Sequence, residues 1–147
     1  MKKSAPSVER SPLAPPEQMT AHFRRSEFAC PCCGKAQVTQ GLVSALETVR
    51  LIVGVPVRVN SGYRCPEHNR KVGGAPNSQH VQGIAADISA ECGWRALYEA
   101  ALRVPAFEEG GIGVYPESNF IHLDVRPEKA RWARVGGKYV GIDQALA

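Results

Sequence analysis

No stretch of this 147-residue chain approaches the ~18 consecutive apolar residues of a membrane-spanning helix, so insertion into a bilayer is not expected. Aromatic residues amount to 7% and are not interleaved with basic ones on any predicted sheet face, so the net charge of +4 does not mark a nucleic-acid binder. The charge is a mild bias toward anionic partners. The opening stretch, MKKSAPSVERSPLAPPEQMT, begins with two lysines, but Ser, Pro, Glu and Arg break any apolar run, so a conventional secretion signal is not expected. A target outside the cytoplasm then requires another route, such as release on lysis.

Cysteine is sparse and odd in number: five residues, of which Cys30, Cys32 and Cys33 fall in FACPCCGK while Cys65 and Cys92 lie far along the chain. This fits reduced thiols better than a disulfide framework. The residues leave three readings open. They are thiols near a turn, a structural zinc knuckle on Cys30 and Cys33, with or without Cys65, or a disulfide to Cys65; only one closely spaced pair is present, where a strong zinc signal has two.

Enough apolar residues remain, 44%, for one domain with a real core. Residues 1–19 are rich in Pro, Ser and Lys and read as a flexible arm, residues 20–135 as the domain, and residues 136–147 as a tail. TQGLVSALETVRLIVG places Leu42, Leu46, Val49 and Val53 at helical spacing and stops on Gly54. CPEHNRKVGG reads as one or two helical turns closed by glycines, and CGWRALYEAALRV as a second helix with Trp94, Leu97, Tyr98, Ala101 and Leu102 on one side. VPVRVN and IAADIS read as strands, GIGVY and FIHLDVR as a hairpin around PESN, and ARWARVGGKYVG as an edge strand. The expected class is α+β, with helices packed on a small antiparallel sheet.

Histidine is scarce too, at four residues, which allows each to be weighed. His22 sits in a basic surface stretch, and His68 reads as a polar helix-face residue bordering a groove. His80 ends a polar loop just before the strand that carries Asp87. Along FIHLDVR, Phe120, His122 and Asp124 share one strand face while Ile121, Leu123 and Val125 share the other. Two imidazoles and one carboxylate form a three-ligand set suited to a catalytic zinc with an open fourth position. On spacing alone, His80, Asp87 and His122 are equally readable as three unrelated polar residues.

SGYRCPEHNRKVGG, SQHVQGIAADI and FIHLDVRP, in this order, resemble the zinc peptidase family M15, especially its D-alanyl-D-alanine carboxypeptidases and phage or prophage cell-wall endopeptidases of endolysin type. The resemblance spans roughly residues 20 to 135. It implies a Hedgehog/DD-peptidase-like fold, zinc on His80, Asp87 and His122, and hydrolysis of peptidoglycan stem or cross-bridge peptides by a zinc-activated water. It also implies that Arg64 grips a substrate carboxylate or steadies the oxyanion, with Ser78 near the ligand histidine; Ser78 and, from its place on the groove, His68 are the further substrate-binding candidates. Several members of the wider family carry an acidic general base three residues before the last histidine; here that residue is Asn119. Asp124 and Glu117 are therefore the candidate bases, with pairing to Arg64 or Arg126 the alternative role of Asp124. A monomer is expected. The competing reading is a non-catalytic zinc-stabilised module that binds peptide or cell wall, such as a virion component.

Overall fold

Helix α1 (Gln40–Val53) follows directly from its sequence: Thr39 caps it by accepting from the Leu42 amide, and Gly54, at φ 71°, ends it in the left-handed conformation that a Cβ disfavours. Leu42, Leu46 and Val49 on its inner face are fully buried, each contributing about 1.5–3 kcal/mol relative to exposure. The structure, a computed structural model, describes residues 16–147. Most of the arm read at 1–19 lies outside the described residues; within them, Gln18 bridges Arg24.

A short 3-10 helix, Arg25–Phe28, precedes α1, and α2 (Pro66–Lys71), α3 (Trp94–Ala101), α4 (Pro105–Glu108) and α5 (Asp143–Leu146) follow it. Six strands, β1 (Arg58–Ser61), β2 (Ala85–Ser89), β3 (Gly111–Tyr115), β4 (Phe120–Asp124), β5 (Ala130–Val135) and β6 (Lys138–Val140), form one sheet in the order β1-β2-β4-β3-β5-β6. The class is α+β, but the sheet is mixed and larger than expected. After β4 the chain crosses to the free side of β3, so that β5 runs parallel to it while every other neighbouring pair is antiparallel. The segment read as a tail also holds structure: β6 pairs with β5, and Ile142 and Ala145 pack against the core. Leu102, expected on the buried side of the second helix, falls just past the end of α3 and is 37% exposed.

Period-2 alternation divides the sheet into two chemically distinct faces. Ile88, Ile112, Val114, Ile121 and Leu123 are fully buried in one cluster with α1, Leu97 of α3 and Phe107 of α4. On the other face stand Asp87 of β2, His122 and Asp124 of β4, Tyr115 of β3 and Trp132 of β5. The register places Asp87 opposite His122 and Gly113 opposite both His122 and Trp132. Two residues read from different motifs thus become nearest neighbours across a strand pair.

Candidate metal centre and active site

His80, Asp87 and His122 present one ligand atom each within 4.8 Å of one another. Asp87 Oδ1 lies 3.3 Å from His80 Nε2 and 3.1 Å from His122 Nδ1. An ion with tetrahedral bonds of 2.0–2.2 Å to nitrogen and oxygen holds its ligand atoms roughly 3.3 Å apart, so the spacing fits.

The far side of each ring fixes its tautomer. His80 Nδ1 lies 2.8 Å from the Gly62 carbonyl, and His122 Nε2 lies 2.7 Å from Asp124 Oδ2. Both of these partners only accept, so both nitrogens carry protons. An ion at the centre would be met by a lone pair from each ring beside the Asp87 carboxylate, and without one each short ring–carboxylate contact needs a proton instead. Burial pushes the Asp87 carboxyl upward, but hydrogen bonds from His122 and His80 outweigh it and hold the group well below the usual range. Burial likewise lowers His122, and its bonds to Asp124 and Asp87 more than reverse this, so its basicity is raised. The donor set and its electrostatics suit a divalent cation of zinc's type.

Arg64 lies behind Asp87. Its Nη2 donates to Asp87 Oδ2 at 3.4 Å, its Nη1 to Asn69 Oδ1 at 3.2 Å and its Nε to Ser61 Oγ at 3.1 Å. Ser78 braces the His80 loop, its hydroxyl accepting from the His80 amide at 3.1 Å. His68 is half-buried on α2, where its amide donates to Cys65 Sγ. Asp124 is fully buried, with Oδ1 accepting from the amides of Gly111 and Arg126 and from Arg126 Nε, and Oδ2 from Arg126 Nη2 and His122. Its guanidinium partner is Arg126, while Arg64 serves Asp87. Glu117 stands in the hairpin turn, where Oε2 accepts from the Gly136 amide at 2.8 Å. Asn119 adopts φ 55°, which asparagine tolerates better than most residues. Its Oδ1 accepts from the Trp94 amide at 2.9 Å and caps α3, a structural use for the position where an acid was sought.

Several contributors carry no motif. Trp132 tilts over His122 with ring centroids 5.0 Å apart, and its Nε1 donates to the Tyr115 hydroxyl at 3.1 Å. Burial pushes the Tyr115 hydroxyl up to about 12 despite that bond, so it stays protonated. Gly113 makes room for Trp132: a Cβ there would lie 2.3 Å from the indole. The GIG of β3 was the available signal, two small residues on the face that carries the chemistry.

Gly62 is packed directly against backbone. A methyl group on it would lie 2.6 Å from Phe28 Cα and 2.9 Å from the Phe28 carbonyl oxygen, both backbone atoms. Gly62→Ala is expected to destabilise the chain by about 2–3 kcal/mol, the cost of overpacking. A melting-temperature fall of roughly 4–12 °C in thermal unfolding is the check, and an unchanged transition would refute it.

The profile of the family described as peptidase M15 matches residues 21–124, a span that holds all three candidate ligands. The peptidoglycan L,D-endopeptidase MepK of Escherichia coli strain K12 is 34% identical over 100 residues, 63% of this chain and 53% of that protein. The zinc D-Ala-D-Ala carboxypeptidase of Streptomyces albus G is 42% identical over 76 residues, 50% of this chain and 29% of that protein. The chain thus spans about half the length of the Escherichia relative. With that match across most of the chain, and a His–Asp–His cluster built for a cation at its centre, the chain belongs to the peptidase M15 family.

Proposed function

We propose that this chain is a zinc metallopeptidase that hydrolyses peptide bonds of bacterial peptidoglycan. The observation that carries the reading is the preformed cluster of His80 Nε2, Asp87 Oδ1 and His122 Nδ1, each imidazole fixed from behind by an acceptor. Zinc held there would supply a Lewis acid for the scissile carbonyl and lower the pKa of a water to about 7.

The chain's own groups do the rest. Asp87 brings one negative charge to the ion, and the two neutral histidines add none, so a net positive charge remains for a substrate oxygen. Arg64 spends three of its N–H groups on Ser61, Asn69 and Asp87. Two of its five remain for a substrate carboxylate or a developing oxyanion. Asp124 is a positioning residue: it holds the His122 proton on Nε2, which leaves Nδ1 free to ligate, and Arg126 keeps it ionised. Tyr115, protonated and bonded to Trp132, offers its hydroxyl at the rim. Ser78 keeps the His80 loop in register.

The names of the relatives support the substrate class, since one specifies an L,D-endopeptidase of peptidoglycan and the other a zinc carboxypeptidase of D-Ala-D-Ala. The reading extends to a Hedgehog/DD-peptidase type of architecture over residues 20–135, to a monomer, and to action on the wall after lysis-type release. Purified chain should be incubated with isolated peptidoglycan and defined muropeptides, after chelation and again with zinc restored. New products only with zinc are expected; released D-alanine indicates a carboxypeptidase and severed cross-links or stems an endopeptidase. Metal-independent binding without any cleavage would instead establish a non-catalytic module and overturn the proposal.

A further inference from the structure

FACPCCGK and the Cys65 of SGYRC, set aside by the chemistry above, meet in space. The thiols of Cys30, Cys33 and Cys65 lie within 4.8 Å of one another, and Cys30 Sγ is 3.7 Å from Cys65 Sγ. Four-coordinate zinc with Zn–S bonds of about 2.3 Å holds its sulfurs roughly 3.7 Å apart, whereas a disulfide requires about 2.05 Å. We infer that the chain binds a second, structural zinc ion through the thiolates of Cys30, Cys33 and Cys65.

The backbone around the cluster is shaped for thiolates. Between Cys30 and Lys35 the chain folds into a tight knuckle: the Cys30 amide donates to the Lys35 carbonyl at 2.7 Å and the Gly34 amide to the Cys30 carbonyl at 2.8 Å. Gly34 makes this turn at φ 77°, open to glycine and strained for other residues. Amide N–H groups then point at sulfur. Cys65 N donates to Cys30 Sγ at 3.5 Å, and His68 N donates to Cys65 Sγ at 3.4 Å. Three thiolates gathered this closely would repel one another, and a cation between them would compensate that repulsion. Cys32, exposed in the same knuckle, is the neighbouring thiol in sequence.

The position of this site gives it a purpose. Residues 61–65 run from the sulfur cluster to the first centre: Cys65 holds sulfur, Arg64 reaches Asp87, and the Gly62 carbonyl fixes His80. On the other side the Tyr63 amide donates to the Phe28 carbonyl at 2.9 Å. A zinc ion on the three thiolates would tie the Cys30 knuckle to this segment and hold both ligand supports in place.

Metal counting tests the inference apart from catalysis. Full chain purified under a non-thiol reductant and zinc is expected to hold two zinc ions. His80→Ala should hold one, and Cys30→Ser with Cys65→Ser should also hold one. Cobalt loaded into the otherwise unchanged chain and into His80→Ala should give the ultraviolet sulfur-to-metal charge-transfer absorption, a readout that needs no cysteine variant to fold. One zinc in the wild-type chain with none in His80→Ala, and no charge-transfer band, overturns the sulfur site and leaves the His–Asp–His site intact. A Cys30–Cys65 disulfide in the zinc-treated chain, found by mass spectrometry without further reduction, overturns it as well.

Discussion

His80→Ala is expected to lose peptide hydrolysis by at least about a thousandfold and to lose the zinc of the His–Asp–His centre. His80 is buried at 3% exposure, with both ring nitrogens committed, Nδ1 to the Gly62 carbonyl and Nε2 to the cluster around Asp87. Its removal leaves one imidazole and one carboxylate, too few donors to retain a catalytic ion against a competing chelator. A lost Lewis acid forfeits several kcal/mol of transition-state stabilisation, and each 1.36 kcal/mol is about tenfold in rate. The fold should survive. The space left behind is polar, lined by the Gly62 carbonyl and the Asp87 carboxylate, so water can replace the ring. Asp87→Ala makes the harsher comparison, because it strips the partner from Arg64 and from both histidines at once. Zinc content and turnover of muropeptides should fall together in His80→Ala. Full turnover at unchanged zinc content would show that this cluster is not the reaction centre.

The parts legible in the sequence were those governed by local period. Leu42, Leu46 and Val49 announced the buried face of α1, Gly54 its end, and the alternation in FIHLDVR put His122 and Asp124 on the face opposite Ile121 and Leu123. Strand pairing is a different kind of information. That β5 crosses to lie parallel to β3 depends on which edge is free once the hairpin has formed, and no residue in ARWARV encodes it. Trp132 over His122 followed from that crossing and was therefore invisible. The same holds for the meeting of Cys30 with Cys65, which requires the knuckle and the exit of β1 to pack together through Phe28 and Gly62. For Asp124 the strand face was readable, but Arg126, two residues on, was one of two candidate partners, and only the geometry assigns it.

Asp124→Asn is the substitution that separates positioning from proton transfer. The carboxylate is fully buried, and every donor around it, the amides of Gly111 and Arg126, the Arg126 guanidinium and His122 Nε2, points an N–H at oxygen. An amide must turn its NH2 toward one of these groups, so donor faces donor whichever way it flips, and Arg126 loses its counter-charge. Breaking a buried pair costs about 3–5 kcal/mol. Arg126 retains 25% side-chain exposure, so the lower end of that range applies, and a fall in melting temperature of roughly 10 °C should follow. The Asp124 carboxyl is held below the usual range because the bonds from His122 and Arg126 outweigh its burial. Its contribution is therefore present above the unfolded value of about 3.9 and is lost as pH falls through the folded one. The melting-temperature gap between the metal-free parent and variant should accordingly narrow below about pH 4. Loosening the His122 tautomer should also weaken zinc binding by about 10–100-fold, measured by chelator competition, and excess zinc should restore much of the turnover. If Asp124 were instead the base that deprotonates the attacking water, turnover would collapse at saturating zinc while metal affinity and melting temperature stayed at parental values. Arg126→Met combined with Asp124→Asn sharpens the distinction further, because removing the unpaired charge should recover stability without returning the tautomer control that only a carboxylate at position 124 exerts on His122.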